Sequence, residues 1–162
     1  MQFALKGLYT APDNIAIPSA TFNDAMPPIG ESAGLHVGAY PIADGTIEKL
    51  SFDMGADIQA VPDINSPNGR KSYRIADRKS TGSIDPESVN LSDFNPFHYW
   101  ESGEKAKIYA TLGKGLGEQI SVLIPASRFT GISDGERAGS DTYDLAFEAT
   151  GTDDDEFYLV FH

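Results

Sequence analysis

Near the end of the chain, Gly131-Ile132-Ser133-Asp134-Gly135-Glu136-Arg137-Ala138-Gly139-Ser140-Asp141 leads straight into Thr142-Tyr143-Asp144-Leu145-Ala146-Phe147-Glu148-Ala149. Tyr143, Leu145, Phe147 and Ala149 alternate with Asp144, Ala146 and Glu148, the period of a half-buried strand. The charged, glycine-punctuated stretch ahead of it is expected to be a turn. A second, acidic turn, Asp153-Asp154-Asp155-Glu156, then opens into Phe157-Tyr158-Leu159-Val160-Phe161, which is apolar on both faces. A strand of that kind belongs in the centre of a sheet or against a neighbour. The chain therefore ends in an edge-and-hairpin unit that only a β architecture can use.

The same period recurs upstream. Leu50-Ser51-Phe52-Asp53-Met54 and Ile108-Tyr109-Ala110-Thr111-Leu112 alternate, as do Ile120, Val122 and Ile124 with Gln119, Ser121 and Leu123. Tyr73-Arg74-Ile75-Ala76-Asp77-Arg78 reads as a strand with a basic face, on which Arg74 and Arg78 fall together if the strand is regular. Thr81-Gly82-Ser83-Ile84-Asp85-Pro86 is expected to break it, and Gly113-Lys114-Gly115-Leu116-Gly117 to form a hairpin connection. Pro62-Asp63-Ile64-Asn65-Ser66-Pro67-Asn68-Gly69 is a loop with an Asn-Gly turn signal. One short helix is expected: Asn95 suits the N-cap, Pro96 the first helical position and Gly103 the stop, with Phe97 and Trp100 on one face. The fold class is mainly β, a β-sandwich or barrel with one short flanking α-helix. Leu50, Phe52, Trp100, Ile120, Val122, Tyr143, Leu145 and Phe147 are expected to form its core.

Residues 1–45 differ from the rest. The first 42 positions carry only Lys6, Asp13, Asp24 and Glu31 as charges, against prolines at 12, 18, 27, 28 and 41. Phe3-Ala4-Leu5-Lys6-Gly7-Leu8-Tyr9 can form a short strand, but no helix survives so much Pro and Gly. Residues 1–45 are read as an extended Pro-rich arm or linker and 46–162 as the β domain.

With 162 residues, 40% of them apolar, the chain suits one domain with a real core. No apolar run approaches a membrane span. Met1-Gln2-Phe3 opens no signal peptide, so synthesis in a cytoplasm is expected. The absence of cysteine removes disulfides and thiolate metal sites. Twenty-four acidic residues against 12 basic ones give a net charge of −12. Such a chain repels free nucleic acid, although it can form a surface that nucleic acid slides past.

No motif carries chemistry. Gly131-Ile132-Ser133-Asp134-Gly135 fits the nucleophile-elbow pattern, but it lacks the following helix, and the sole later histidine is the terminal His162. Lys114 lies among turn glycines with no phosphate-loop spacing. His36, His98 and His162 share no metal-ligand spacing. The 153–156 run lacks the alternation and glycine of a calcium loop. No catalytic, cofactor or metal site is expected. One concentration of charge stands out: Arg70, Lys71, Arg74, Arg78 and Lys79 hold five of the 12 basic residues. They and the acidic Asp153, Asp154, Asp155 and Glu156 are candidate subunit contacts, a basic patch of one copy meeting an acidic patch of another.

Four blocks in this order resemble the tail tube (major tail) proteins of long-tailed bacteriophages, over about residues 46–161: Ile47-Glu48-Lys49-Leu50-Ser51-Phe52-Asp53-Met54-Gly55-Ala56-Asp57-Ile58; Arg78-Lys79-Ser80-Thr81-Gly82-Ser83-Ile84-Asp85-Pro86-Glu87; the helix at 97–103; and Ile132 through Leu145 with the acidic turn and last strand. The resemblance covers what would be the C-terminal portion of longer relatives. It implies a β-sandwich or barrel with a flanking helix, and subunits in homo-hexameric rings whose inner strands join into a barrel. The rings stack into a virion tail tube through which DNA passes without specific binding. The implied partners are further copies and other tail proteins, with no membrane, cofactor or enzymatic role. The 62–69 loop becomes a candidate stacking contact. Alternative readings are a tail completion or connector protein, a secretion-tube relative, or a soluble β-sandwich module binding carbohydrate or protein, for which an exposed Trp–Tyr patch would speak.

Overall fold

The computed structural model describes residues 7, 13, 19–21, 34–38, 40–42, 47–66, 68–113, 118–152 and 155–162. The expected strand at 3–9, Gly7 apart, and most of the glycine connection at 113–117 lie outside them. The chain divides into two compact units, Met1–Asp24 with Gly55–Arg78, and Ala25–Met54 with Lys79–His162.

The larger unit is one curled, half-barrel antiparallel sheet. Its strands are β1 (Gly34–Val37), β2 (Tyr40–Ile42), β3 (Ile47–Asp53), β6 (Thr81–Pro86), β7 (Ala106–Leu112), β8 (Ile120–Arg137), β9 (Ser140–Ala149) and β10 (Tyr158–Phe161). They run in the order β2-β1-β7-β8-β9-β6-β3, and β10 also pairs with β8. At 18 residues, β8 is long enough to serve two half-sheets. Its first part pairs with β7 and β10, and its second part, from Ser127 onward, pairs with β9. Ser127 opposes Ala106 on β7 and Ala149 on β9, so those strands lie on opposite sides of β8.

The two half-sheets share a core. Leu35, Val37, Ile108, Ala110 and Ile124 come from one; Ile84, Phe129, Leu145 and Phe147 come from the other. Each of these large apolar side chains contributes roughly 1.5–3 kcal/mol by leaving water. Phe52 of β3 stacks on Phe157, with ring centroids 4.4 Å apart. Helix α1 (Pro96–Ser102) covers part of the core: Phe97 meets Tyr143 edge-on and Tyr99 meets Phe129 edge-on. Its ends are as the sequence indicates, with Asn95 accepting a hydrogen bond from the His98 N–H and Gly103 left-handed at φ 67.

The smaller unit contains β4 (Ala56–Pro62) and β5 (Arg70–Arg78), which form a two-stranded antiparallel ribbon joined by the 63–69 loop. Ile64 in that loop is 98% exposed.

Several expectations change. The 34–42 stretch, read within the arm, forms β1 beside β7 and β2 beside β1. The 81–86 stretch is no break but the strand β6 between β3 and β9, because Gly82 lets the Phe147 ring lie across it. Residues 131–135 continue β8, and the turn falls later, at Ala138 (φ 51) and Gly139 (φ 86). Two successive positive φ values suit the right-handed twist of a hairpin. Trp100 is not core; it is 48% exposed, since α1 docks through Pro96, Phe97 and Tyr99. The last strand is exposed at Tyr158, Val160 and Phe161 because it pairs with β8 alone. Leu145 and Phe147 are buried, while Leu50, Phe52, Val122 and Tyr143 pack against the core half-buried.

Two stability effects follow. An added Cβ at Gly82 would sit 2.4 Å from both the Phe147 ring and the Ser51 carbonyl oxygen. Gly82→Ala should therefore lower stability by about 1–3 kcal/mol, measured as a reduced denaturation midpoint. Ala138 is the single non-glycine residue with positive φ among the described residues. Ala138→Asn, which tolerates that region, should raise stability by about 0.5–1 kcal/mol in the same assay.

Candidate functional site

The second half-sheet, β8-β9-β6-β3, turns a small, polar face to solvent. Its ladders fix which side chains share that face. Ser51 opposes Ser83, Ser83 opposes Ala146, and Ala146 opposes Gly131; Asp53, Thr81, Glu148 and Arg128 form the next row. Cross-strand partners project to the same side, so Ser51, Asp53, Thr81, Ser83, Arg128, Gly131, Ser133, Asp144, Ala146 and Glu148 pave one surface. The Ser51 and Ser83 hydroxyls hydrogen-bond at 2.7 Å near its centre. No large apolar side chain stands among these residues.

Two cations on this face are tied to carboxylates. Arg137 reaches Asp85 at 3.2 Å, each side chain 23% exposed. The other Asp85 carboxylate oxygen accepts from the Glu48 and Lys49 N–H groups at 3.1 and 2.7 Å. Asp85 thus joins the bulge of β3, its own strand β6 and the end of β8. Lys79 lies 3.6 Å from Glu148 in a more exposed pair that is worth little energetically.

The basic residues singled out in the sequence belong to two units. Arg70, Lys71, Arg74 and Arg78 are on β5, whereas Lys79 pairs on the sheet face of the larger unit. Arg74 and Arg78 do not share a strand face. Arg74 opposes Gln59 and Asp77 opposes Asp57, but a register shift at Ala76 puts Arg78 opposite Ala56. Arg74 thus projects with Ser72 and Asp77, and Arg78 with Tyr73 and Ile75. Arg70 donates to the Tyr73 hydroxyl at 3.2 Å on that second face. Within the acidic patch, Asp153 and Asp154 lie outside the described residues. Asp155 accepts from the Thr152 N–H and closes its own turn, and Glu156 is half-buried. The sequence did not single out Asp85, whose role depends on a bulge that no local pattern signals.

The histidines are dispersed. His98 lies 3.4 Å from Glu104 on the surface, and His36 lies beside Tyr109. His162 meets the Ser121 hydroxyl at 3.1 Å. Hydrogen bonds with Thr111 and Ser121 hold the Tyr109 hydroxyl below its ordinary pKa. Among the described residues no carboxylate backs His162, and no three His, Asp or Glu side chains converge as a metal site would need. Ser133 of the elbow-like pattern lies within β8, opposite Asp144. Among the described residues no aromatic ring pairs with Trp100, so a flat Trp–Tyr platform is not formed there.

Removing the Asp85 carboxylate would strand Arg137 and two backbone N–H groups. Asp85→Ala is expected to cost about 2–3 kcal/mol, and Asp85→Asn, which keeps an acceptor, less; denaturant unfolding of both variants checks the order.

No protein-family model matches this chain, and no curated protein matches it in sequence. Solved structures do match it in fold. A chain in a structure of the virion of a native gene transfer agent particle aligns with TM-score 0.50 and 17% identity, over 78% of this chain and 95% of that one. A chain of an anti-feeding prophage baseplate, determined by cryo-EM with 6-fold symmetrisation, aligns with TM-score 0.51 and 11% identity, over 80% and 91%. A chain from the tail of an empty gene transfer agent particle, refined helically with C6 symmetry, gives TM-score 0.47 and 17% identity over 75% and 84%. At such identities the likeness is one of fold: this chain is built like a subunit of a virion and a subunit of a baseplate.

Proposed function

We propose that this chain is a virion structural protein, a tail tube subunit that forms homo-hexameric rings which stack into a DNA conduit. The observation that carries this reading is the sheet face of β8-β9-β6-β3. A wall that DNA must slide past needs small side chains and few free cations to grip phosphate. Here Ser51, Thr81, Ser83, Gly131, Ser133 and Ala146 pave much of the surface beside Asp53, Asp144 and Glu148; Arg137 and Lys79 are held by Asp85 and Glu148, and Arg128 is exposed on the same face. The net charge of −12 adds long-range repulsion of DNA. The fold shared with a virion subunit and a 6-fold symmetrised baseplate subunit supports the same reading.

The ribbon of β4 and β5 is the candidate stacking element. It carries four basic residues against three acidic ones, in a chain otherwise strongly acidic. A two-stranded ribbon is only marginally stable alone, and Ile75 and Ile64 are exposed on it. Contact with an acidic surface of a copy in the next ring would bury both the apolar and the basic groups. A second reading, a tail completion or connector subunit, is favoured by the baseplate likeness, and differs in that rings form without stacking.

Negative-stain electron microscopy across a concentration series tests these readings. Tubes with a central hole are expected for the tube subunit, single rings for the connector, and monomers throughout would overturn both. Lys71→Glu with Arg74→Glu, at exposed ribbon positions, should leave the monomer folded by circular dichroism and shorten tubes to isolated rings. Full-length tubes from that variant would remove the ribbon from the stacking contact.

A further inference from the structure

Across the core from the small, polar sheet face lies a second solvent face with different chemistry. We infer that it binds an uncharged polysaccharide, with Tyr109 and Tyr158 as the platforms on which sugar rings rest. Such binding is separate from ring assembly and needs only the folded subunit.

Four strands build this face. His36 of β1, Tyr109 of β7, Leu123 of β8 and Tyr158 of β10 stand in one ladder row. Gly34, Thr111, Ser121 and Val160 make the next. Their sequence neighbours Leu35, Ala110 and Val122 point the other way, into or against the core, so both rows turn to solvent. Tyr109, Tyr158 and Val160 are large apolar groups left exposed there.

Tyr109 is held flat. The Thr111 and Ser121 hydroxyls hydrogen-bond to its phenol oxygen, and both belong to the next row. The ring must therefore lie along the sheet, one face down and the other to solvent. Ser121 records this: it is on the solvent side of the sheet, yet only 5% exposed. Its hydroxyl also meets Thr111 at 3.4 Å and the His162 ring at 3.1 Å. The platform is thus oriented before any ligand arrives, which lowers the ordering cost of binding. Tyr158 stands two strands away from Tyr109, about 10 Å at the usual strand spacing, with the shorter Leu123 between them.

Charge and shape choose the occupant. Neither row contains Asp, Glu, Lys or Arg, although these make up 22% of the chain. The face offers a charged partner no ion pair, and a body carrying −12 repels acidic ones. Aromatic ring faces carry negative potential and attract the weakly positive C–H groups on the flat side of a pyranose ring. Two such rings on one level surface suit an extended chain of sugars. The neutral Thr111 and Ser121 hydroxyls and the His36 and His162 imidazoles around them both donate and accept, as sugar hydroxyls require.

Affinity electrophoresis tests this, in native gels containing dextran, mannan, galactomannan or mixed-linkage β-glucan, with polygalacturonate as the acidic counterpart. At least one neutral polymer should retard the protein, and polygalacturonate should not. Tyr109→Thr and Tyr158→Thr keep a residue suited to strands and should each weaken retardation about tenfold, with circular dichroism verifying the fold. Tyr158→Phe keeps the ring and should retain retardation, as should Trp100→Ala, which lies on α1 rather than on this face. No retardation by any neutral polymer, or retardation that survives both threonine variants, would overturn the assignment. Concentration-dependent self-association lost in Tyr158→Thr, without retardation, would give the face to a second copy and overturn it too. The gels read binding by the subunit, so rings or tubes in micrographs stand or fall independently.

Discussion

The larger unit depends on one strand being shared by two half-sheets at a corner made of small residues. Ser127 is fully buried and sits between Ala106 and Ala149, and its hydroxyl donates to the Ala106 carbonyl at 2.7 Å. Register shifts flank the corner, between Ala106 and Ile108 on one side and between Phe129 and Gly131 on the other. Such bulges bend a strand and increase its twist, and Ala-Ser-Ala leaves room for the sheet to turn on itself. A large side chain at any of the three would push the halves apart and open the core that Phe129, Phe147, Ile108 and Ile124 fill.

Turning the sheet at Ser127 has a topological cost. β7 leaves β8 at the corner, so the second half of β8 keeps a strand on only one side among the described residues. A sheet that curled fully into a barrel would have no edges. This one stops at a half-barrel: among the described residues β3 pairs with β6 alone, and β8 beyond Ser127 pairs with β9 alone. Helix α1, anchored by Phe97 on Tyr143 and Tyr99 on Phe129, covers the core side without adding a strand.

Much of this was legible in the sequence, for local reasons. The alternation at 108–112 and 142–149 and the cap residues of α1 depend on neighbours a few positions away, and the structure follows them. What depends on distant partners was not legible. Gly82 and Pro86 mark 81–86 as a break by local rules, yet the Phe147 ring from β9 needs that glycine and makes the segment a strand. The expected common face of Arg74 and Arg78 fails at one register shift, and Asp85 gains its importance only through the bulge opposite it. Of the candidate site, the charge clusters were visible, but the pairing of Lys79 with Glu148 was not, because Glu148 lies far along the chain on β9.

A chain carrying −12 has no general tendency to associate with itself. Screening reduces that repulsion over about 8 Å at physiological salt, whereas backbone ladders and stacked side chains act at contact. In the proposed assembly, association would come from directional contacts rather than from net charge. Misaligned encounters gain none of these and keep the repulsion, so charge works against disordered aggregation while geometry selects the ordered contact. The surplus of carboxylates thus opposes indiscriminate contact between copies as it opposes contact with nucleic acid.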